Sequence, residues 1–240
     1  MHAIPLVKHF IHTKMYYKIN FIFTLGVPIG SIIYSMRDQI LQKTDTHTII
    51  NTIFYWIGYM VVLYALTGSG PSLVILREEQ FIKLFLFIAS SPWSIIFAQF
   101  IAQFLLLMFS VLLLDVLSSA LFLLPLFSLI GQSLLIILIC SFPVFSLFLN
   151  FAAWRIRPET VTPLINILIF FFIFLSINES NMAFVLFSPI DYIYRVSRLV
   201  TGEATATLLQ IALLTAVTIV YLLIGIFSLK KLKTLPIFRN

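Results

Sequence analysis

Charge is what this sequence has least of. Only 10% of its 240 residues are charged, against about 25% in soluble globular domains. Hydrophobic residues make up 61% of the chain, and 25 residues are Phe. A soluble fold cannot hide so much apolar surface, which predicts that the chain is solvated by lipid. The N-terminus is not typical of a cleavable signal peptide, because the apolar run begins only near Ile19 and no small-residue cleavage site follows it.

Cysteine, metal-binding clusters and phosphate-binding loops are also scarce or absent. The one cysteine, Cys140, excludes a disulfide framework and a cysteine-rich metal site. His9 and His12 form an HxxH pair without an acidic residue or Cys nearby, which favours anchoring at the membrane interface over metal ligation. No GxxxxGK[ST] motif is present, so the chain has no P-loop for ATP. We ascribe the net charge of +6 to cytoplasmic Lys and Arg, and expect no nucleic-acid binding.

Six long apolar runs predict an all-α integral membrane protein. A bilayer core of roughly 30 Å needs about 20 apolar residues as a helix, and a lone segment in lipid satisfies its backbone only as a helix. The runs cover residues 19–36, 49–67, 93–114, 126–149, 160–177 and 206–229. Ser91-Pro92 predicts the start of the third helix and Thr162-Pro163 that of the fifth, because Pro fits the first helical turn. The absence of an internal repeat or linker predicts one membrane domain.

Positive charge predicts the orientation. With both termini in the cytoplasm, the inner segments hold 11 of the 15 basic residues, namely Lys8, Lys14, Lys18, Arg77, Lys83, Arg155, Arg157, Lys230, Lys231, Lys233 and Arg239. The outer segments hold Arg37, Lys43, Arg195 and Arg198. This split agrees with the positive-inside rule and with an even number of spans. The basic segment before the first span, with Leu6, Phe10 and Tyr17 along one side, predicts an N-terminal interfacial helix.

Four charged residues lie together between the second and third spans, namely Arg77, Glu78, Glu79 and Lys83. In a helix over residues 74–90, one face is apolar and contains Phe81, Leu84, Phe85 and Ile88. Such a helix, with charges at its start, lies along the membrane interface. Two interpretations stay open. The helix either anchors a loop, or exposes its charges as a docking surface for a soluble partner.

The first span contains the sequence GVPIG, in which Gly26 and Gly30 form a GxxxG motif around Pro28. Small residues let helices approach closely, whereas an internal Pro kinks a helix. We favour a kink or close helix packing, and a specific dimer contact stays open.

Asp115 is the only acidic residue within an apolar run. A charge at the bilayer centre would cost about 3 kcal/mol or more, which makes such a residue a functional candidate. Ser118, Ser119 and Pro125 follow closely, so we expect Asp115 in the outer headgroups at the end of the third span. A position on a substrate path stays the alternative.

Residues 188–202 predict a short outer amphipathic helix before the last span. Ser188 is a suitable N-cap, Pro189 fits the first turn and Gly202 ends the helix. Its polar face is predicted to hold Asp191, Arg195 and Arg198. Because the helix is too short and too charged to span, we expect it on or dipping into the outer leaflet, either beside a transport path or as a plug without substrate contact.

These features together resemble the ABC type 2 transporter permease family. The resemblance covers nearly the whole chain and rests on six spans, a basic N-terminal helix, Pro28 inside the first span and a basic KKLK near the end. It rests above all on Arg77-Glu78, followed by Lys83, an apolar run and Pro92 opening the third span.

The resemblance implies a cytoplasmic coupling helix that contains Arg77, Glu78, Glu79 and Lys83 and sits in a cleft of an ATPase subunit. It implies two copies of that ATPase, which hold ATP and Mg, and a second permease chain, identical or paralogous. The chain itself would bind no cofactor and perform no covalent chemistry. The apolar spans favour a hydrophobic or amphipathic cargo, such as a hydrophobic peptide, a lipid or a drug. The resemblance implies export across the cell membrane, with a bacteriocin-like peptide as the favoured cargo. The richness in Ile, Phe, Lys and Asn indicates a bacterium.

Other classes stay open beside the exporter. A secondary transporter or channel usually carries buried ionisable residues, and Asp115 is the one candidate. A non-transporting immunity protein is barely distinguished by sequence. A CAAX-type membrane protease is disfavoured, because all four His precede Glu78 and none follows it to complete an acid–base site.

Overall fold

The computed structural model describes residues 3–16, 18–37, 46–82, 84–85, 91–154, 156–176, 188–202 and 207–231. The regular secondary structure in these ranges is entirely helical, which confirms the all-α class. The helices are α1 (Ala3–Tyr16), α2 (Lys18–Ser35), α3 (Thr46–Gly68), α4 (Gly70–Glu78), α5 (Pro92–Phe122), α6 (Leu126–Phe148), α7 (Asn150–Ala153), α8 (Pro158–Ser176), α9 (Pro189–Val200) and α10 (Leu208–Lys230).

Five helical segments in the described ranges are long and apolar enough to cross a membrane. They are Thr46–Glu78, Trp93–Phe122, Leu126–Ala153, Pro158–Ser176 and Leu208–Lys230. These segments correspond to the second to sixth predicted spans and are compatible with a multi-pass membrane protein. The predicted first span coincides with α2, whose searched apolar part, Ile22–Ser35, is shorter than a span. A sixth crossing therefore stays a prediction.

Two helix boundaries differ from the sequence prediction. The third span begins as expected, since the Ser91 side chain accepts a hydrogen bond from the Trp93 amide at 3.3 Å, but its helix continues past residue 114 to Phe122. A single buried carboxylate interrupts the apolar run without breaking the helix. The fifth span begins at Pro158, not at Thr162-Pro163, so Pro163 lies inside α8. Pro158 suits a first turn equally well and is followed by Glu159, which favours the positive helix end.

The core is organised around α3, which packs against α5, α6 and α9. Ile53, Phe54 and Met60 on this helix are completely buried. The more peripheral helices keep large apolar side chains on the outside, for example Phe127 of α6 and Phe170 of α8. An exposed apolar surface of this kind is what a lipid environment requires.

Some close helix approaches are made by glycines that the sequence analysis did not single out. A Cβ on Gly70 would overlap the carbonyl oxygen of Phe148, at the end of α6. A Cβ on Gly225 would lie 2.7 Å from the Ser146 Cβ. Small residues at these positions let α4 pack on α7 and the last residue of α6, and let α10 pack on α6.

One end of the bundle, called the basic end from here on, gathers α1, α4, α7, the start of α5 and the end of α10. Leu6 and Phe10 of α1 share an apolar cluster with Ile95 at the start of α5. Ser228, near the end of α10, donates a hydrogen bond to Asn150 at 3.3 Å. Basic residues of the segments predicted to be cytoplasmic lie at this end, among them Lys8, Arg77, Arg157, Lys230 and Lys231. The opposite end is called the distal end.

Candidate functional site

Arg77, which we expected as an exposed docking charge, is buried at the basic end. Its side chain is 2% exposed. Its Nη1 donates to the Ala152 carbonyl at 2.9 Å, and its Nη2 donates to the Trp154 carbonyl at 3.3 Å. Its Nε donates to Glu78 Oε1 at 2.8 Å. The prediction of exposure is wrong for Arg77, because carbonyls about 75 residues further along the chain solvate the guanidinium in place of water.

The predicted helix over residues 74–90 is broken in the structure. Helix α4 ends at Glu78, and Gln80 adopts a positive φ of 62°. A left-handed conformation costs a non-glycine residue roughly 1–2 kcal/mol, so this reversal is specified by its surroundings and not by local preference. Glu79 and Gln80 are exposed. The buried Arg77 and the exposed Glu79 and Gln80 form one tight turn, called the 77–80 corner. Lys83 lies outside the described residues.

The segment after the corner packs against α1. Phe85 lies edge-on to His9 and Phe10, with ring centroids 5.6 and 5.4 Å apart. Ile82 is buried in the same cluster. The predicted N-terminal helix therefore exists and contacts the start of α5, and its position at a membrane interface stays a prediction. Within the described ranges, no group of three or more His, Cys, Asp or Glu is placed to hold a metal.

The GVPIG motif lies in α2 with Pro28 inside the helix. Gly26 and Gly30 are exposed, and a Cβ on either would meet no described residue within 4 Å. Close packing of these glycines within the chain is therefore wrong. A contact with a second chain, the alternative, stays a prediction.

Asp115 does not lie at a helix end. It is 0% exposed and sits two turns before the end of α5, where Ser133 of α6 donates to its Oδ1 at 3.1 Å. Its Oδ2 has no hydrogen-bond partner among the described residues. Asp115 is buried because α6 folds back along α5 and covers this position, and its depth in the membrane stays a prediction. A buried carboxylate without a described cationic partner is expensive, and such groups are functional candidates in membrane proteins.

The short helix α9 has the predicted ends but not the predicted exposure. Ser188 Oγ accepts a hydrogen bond from the Asp191 amide at 3.3 Å, and Gly202 follows the helix with φ 72°. Asp191, expected on the exposed polar face, is 5% exposed and forms an ion pair with Arg195 at 3.0 Å. Arg198 is exposed as expected. One face of α9 is buried against α3, α6 and α8.

The contacts of α9 also define its depth. The Tyr192 hydroxyl lies 2.8 Å from Thr218 Oγ1, halfway along α10. A Cβ on Gly58, near the middle of α3, would lie 3.4 Å from the Ile190 carbonyl oxygen. The N-terminus of α9 therefore lies in the middle of the bundle, and the helix runs from there toward the distal end. The amphipathic pattern of α9 can be recognised in the sequence, but the pattern does not show whether the polar face contacts water or other helices.

Sequence reasoning missed a polar cluster near the basic end. Gln99 and Gln103, one turn apart on α5, are 3% and 1% exposed. Gln99 Nε2 donates to Ser72 Oγ at 2.8 Å, and Ser72 Oγ donates to the Gly68 carbonyl at 2.9 Å. The sequence contains a signal for this cluster, because two glutamines at positions i and i+4 lie on one face of an otherwise apolar helix.

Comparison with known proteins leaves the family of this chain open. No protein-family model, no curated protein and no solved structure matches the chain.

Proposed function

We propose that the chain is the transmembrane permease subunit of an ATP-binding cassette exporter in a bacterial cell membrane. Two permease chains, identical or paralogous, would pair and sit on two ATPase subunits that hold ATP and Mg. The cargo is a hydrophobic or amphipathic molecule, such as a bacteriocin-like peptide, a lipid or a drug. In this proposal the basic end faces the cytoplasm, in accordance with the positive-inside rule.

The observation that carries the proposal is the 77–80 corner. A coupling element must present an exposed contact to a soluble partner and pass its displacement to the spans. Glu79 and Gln80 supply the exposed contact. Arg77 supplies the transmission, because its two hydrogen bonds to the carbonyls of residues 152 and 154 tie the corner to the segment after α6. Glu78 orients the guanidinium through its ion pair. Lys83 keeps its proposed role at the partner surface.

Two further features support a six-span permease. Gly30 of α2 and Met36, just after its end, line a shallow cavity together with Trp56 of α3. Since α1 lies at the basic end, α2 runs from there toward the distal end and is proposed as the first crossing. Helix α9 enters the bundle from the distal end, where the resemblance to ABC permeases implies a helix beside the exit of the path.

The proposal is tested by reversing the exposed charge of the corner. We expect Glu79→Lys to lower the recovery of a partner ATPase in a pull-down from native membranes by about tenfold or more, since like charges at an interface cost several kcal/mol. The assay measures ATP hydrolysis in the eluate of the tagged protein. Arg198→Glu is the matched control, because it reverses a charge that is also exposed, but at the distal end. Equal recovery from both variants, or a chain that elutes without ATPase, would reject the coupling role.

The buried Asp115 favours one second candidate function, an ion-driven secondary transporter. Such carriers use buried ionisable groups for coupling, and Asp115 is fully buried within a spanning helix. Under this alternative, Asp115→Asn abolishes uptake or efflux driven by an ion gradient in proteoliposomes. Under the exporter proposal, Asp115→Asn leaves ATP-dependent transport intact, and Glu79→Lys abolishes it.

A further inference from the structure

A cavity of about 240 Å³ lies between α5, α6 and α10 near the basic end. Its walls are mainly aromatic and aliphatic and include Phe100, Phe145 and Leu222. At its rim, Trp93 of α5 is 52% exposed and Ile226 of α10 is 52% exposed. These rim residues lie on the outer, apolar surface of the bundle, so the cavity opens sideways toward the surrounding lipid.

One polar side chain in this cavity has a hydrogen-bond acceptor without a donor among the described residues. Gln99 lines the cavity and is 3% exposed. The Ser72 hydroxyl donates its proton to the Gly68 carbonyl, so the Ser72 oxygen can only accept a hydrogen bond from Gln99 Nε2. This contact fixes the orientation of the Gln99 amide. The amide oxygen, Gln99 Oε1, is thereby left as an acceptor, and it has no donor among the described residues. An unmet buried acceptor costs about 1–3 kcal/mol.

No described side chain donates a hydrogen bond to this oxygen, although Ser146 also lines the cavity. Ser69 also lines the cavity, but its hydroxyl donates to the Ala65 carbonyl at 2.7 Å. Lipid tails contain no donor either. A cavity of about 150 Å³ lined by aliphatic and aromatic residues binds benzene and stays free of water, and this cavity is larger. It has room for a hydrocarbon segment, and one point at which a donor would be stabilised.

We propose that this cavity binds a lipid-soluble molecule that combines an apolar chain with one hydrogen-bond donor, such as a hydroxyl, and that enters from the membrane between α5 and α10. The chain occupies the aromatic walls, and the donor reaches Gln99 Oε1. The site is a property of this single chain and does not depend on the exporter function, so the two proposals fail or succeed separately.

The test uses Trp93 as a reporter at the rim of the cavity. Trp56→Phe and Trp154→Phe leave Trp93 as the only tryptophan of the full-length protein, which is placed in phosphatidylcholine nanodiscs. The probe is dodecanol brominated at mid-chain, whose bromine quenches nearby tryptophan fluorescence. We expect saturable quenching by the alcohol. We expect Gln99→Met to weaken its binding by roughly two- to tenfold, the worth of one hydrogen bond. Gln103→Met, the same change one turn away at a residue outside the cavity wall, should not weaken it.

A second comparison uses the unmodified cavity and does not depend on whether the glutamine variant folds. The methyl ether of the same brominated chain has nearly the same shape and lacks only the donor. We expect the alcohol to bind more tightly than the ether by the same roughly two- to tenfold factor. Equal binding of alcohol and ether, or quenching that rises linearly with probe and never saturates, would overturn the proposal. Such quenching would show only contact of Trp93 with bulk lipid.

Discussion

Replacing Arg77 by Met tests whether the buried hydrogen bonds of Arg77 stabilise the 77–80 corner. The substitution keeps most of the side-chain volume and removes the donors to the Ala152 and Trp154 carbonyls and to Glu78. The Glu78 side chain is only 5% exposed, so its carboxylate loses this guanidinium while staying largely buried. Removing one member of a buried ion pair costs about 3–5 kcal/mol.

The magnitude translates into a measurable shift. In a domain of 150–250 residues, 1 kcal/mol corresponds to about 2–4 °C in Tm, so Arg77→Met should lower the apparent Tm by roughly 10 °C. Intrinsic tryptophan fluorescence during heating in mild detergent measures it. Trp154 follows α7 directly and reports on this region.

A double-mutant cycle separates the ion pair from the carbonyl contacts. Glu78→Gln alone keeps an acceptor for Arg77 and should cost about 1–2 kcal/mol, less than the arginine change. In the double variant neither charge of the Arg77–Glu78 pair remains, so the loss should be smaller than the sum of the two single losses. Strict additivity, or an Arg77→Met shift no larger than that of the exposed Arg198→Met, would refute the buried anchor.

Two further predictions concern packing and the depth of α9, and both are measured as changes in apparent Tm under the same conditions. Gly70→Ala should destabilise the protein by about 2 kcal/mol or more, because its Cβ would overlap a carbonyl oxygen of α6. Gly26→Ala should instead stabilise α2 by up to about 1 kcal/mol, because its Cβ would meet no described residue within 4 Å. Equal effects of the two substitutions would contradict the assigned helix contacts. Tyr192→Phe removes the hydrogen bond to the middle of α10 and should cost about 1 kcal/mol. The same change at the exposed Tyr34 should cost nothing, and a loss at both positions or at neither would contradict the placement of α9.

Local signals were sufficient for two of the three helix starts that were predicted from a Ser-Pro or Thr-Pro pair. Ser91 and Ser188 precede a proline and an apolar or amphipathic run, and both act as N-caps as expected. These features depend on residues within one helical turn, so the sequence contains all the information needed. The same rule failed at Thr162, because Pro158, one turn earlier, satisfies it equally well and the helix begins there.

The candidate site depends on partners that are distant in sequence, and here prediction from sequence failed. The burial of Arg77 depends on carbonyls 75 and 77 residues away. The partner of Asp115 is Ser133 on the next helix. Charge and hydropathy locate such residues but do not show which neighbour will cover them. For the glycines, the sequence pattern was misleading in the opposite direction. The GxxxG motif at Gly26 was conspicuous, yet a Cβ there would meet no described residue within 4 Å, whereas the isolated Gly70 lies at a very close helix approach.

The central position of α3 has a consequence for the order in which the protein assembles. Its partners α6 and α9 are synthesised later, α6 ending 80 residues and α9 ending 132 residues after Gly68. At about 5–20 residues per second, α3 waits on the order of 10 s before its last partner exists. During that time its future core surface faces lipid or the insertion machinery. A central helix made early must therefore be stable alone in the bilayer. This explains why the buried residues of α3 include Ile, Phe, Val and Leu, and why α3 contains no Asp, Glu, Lys or Arg along its length.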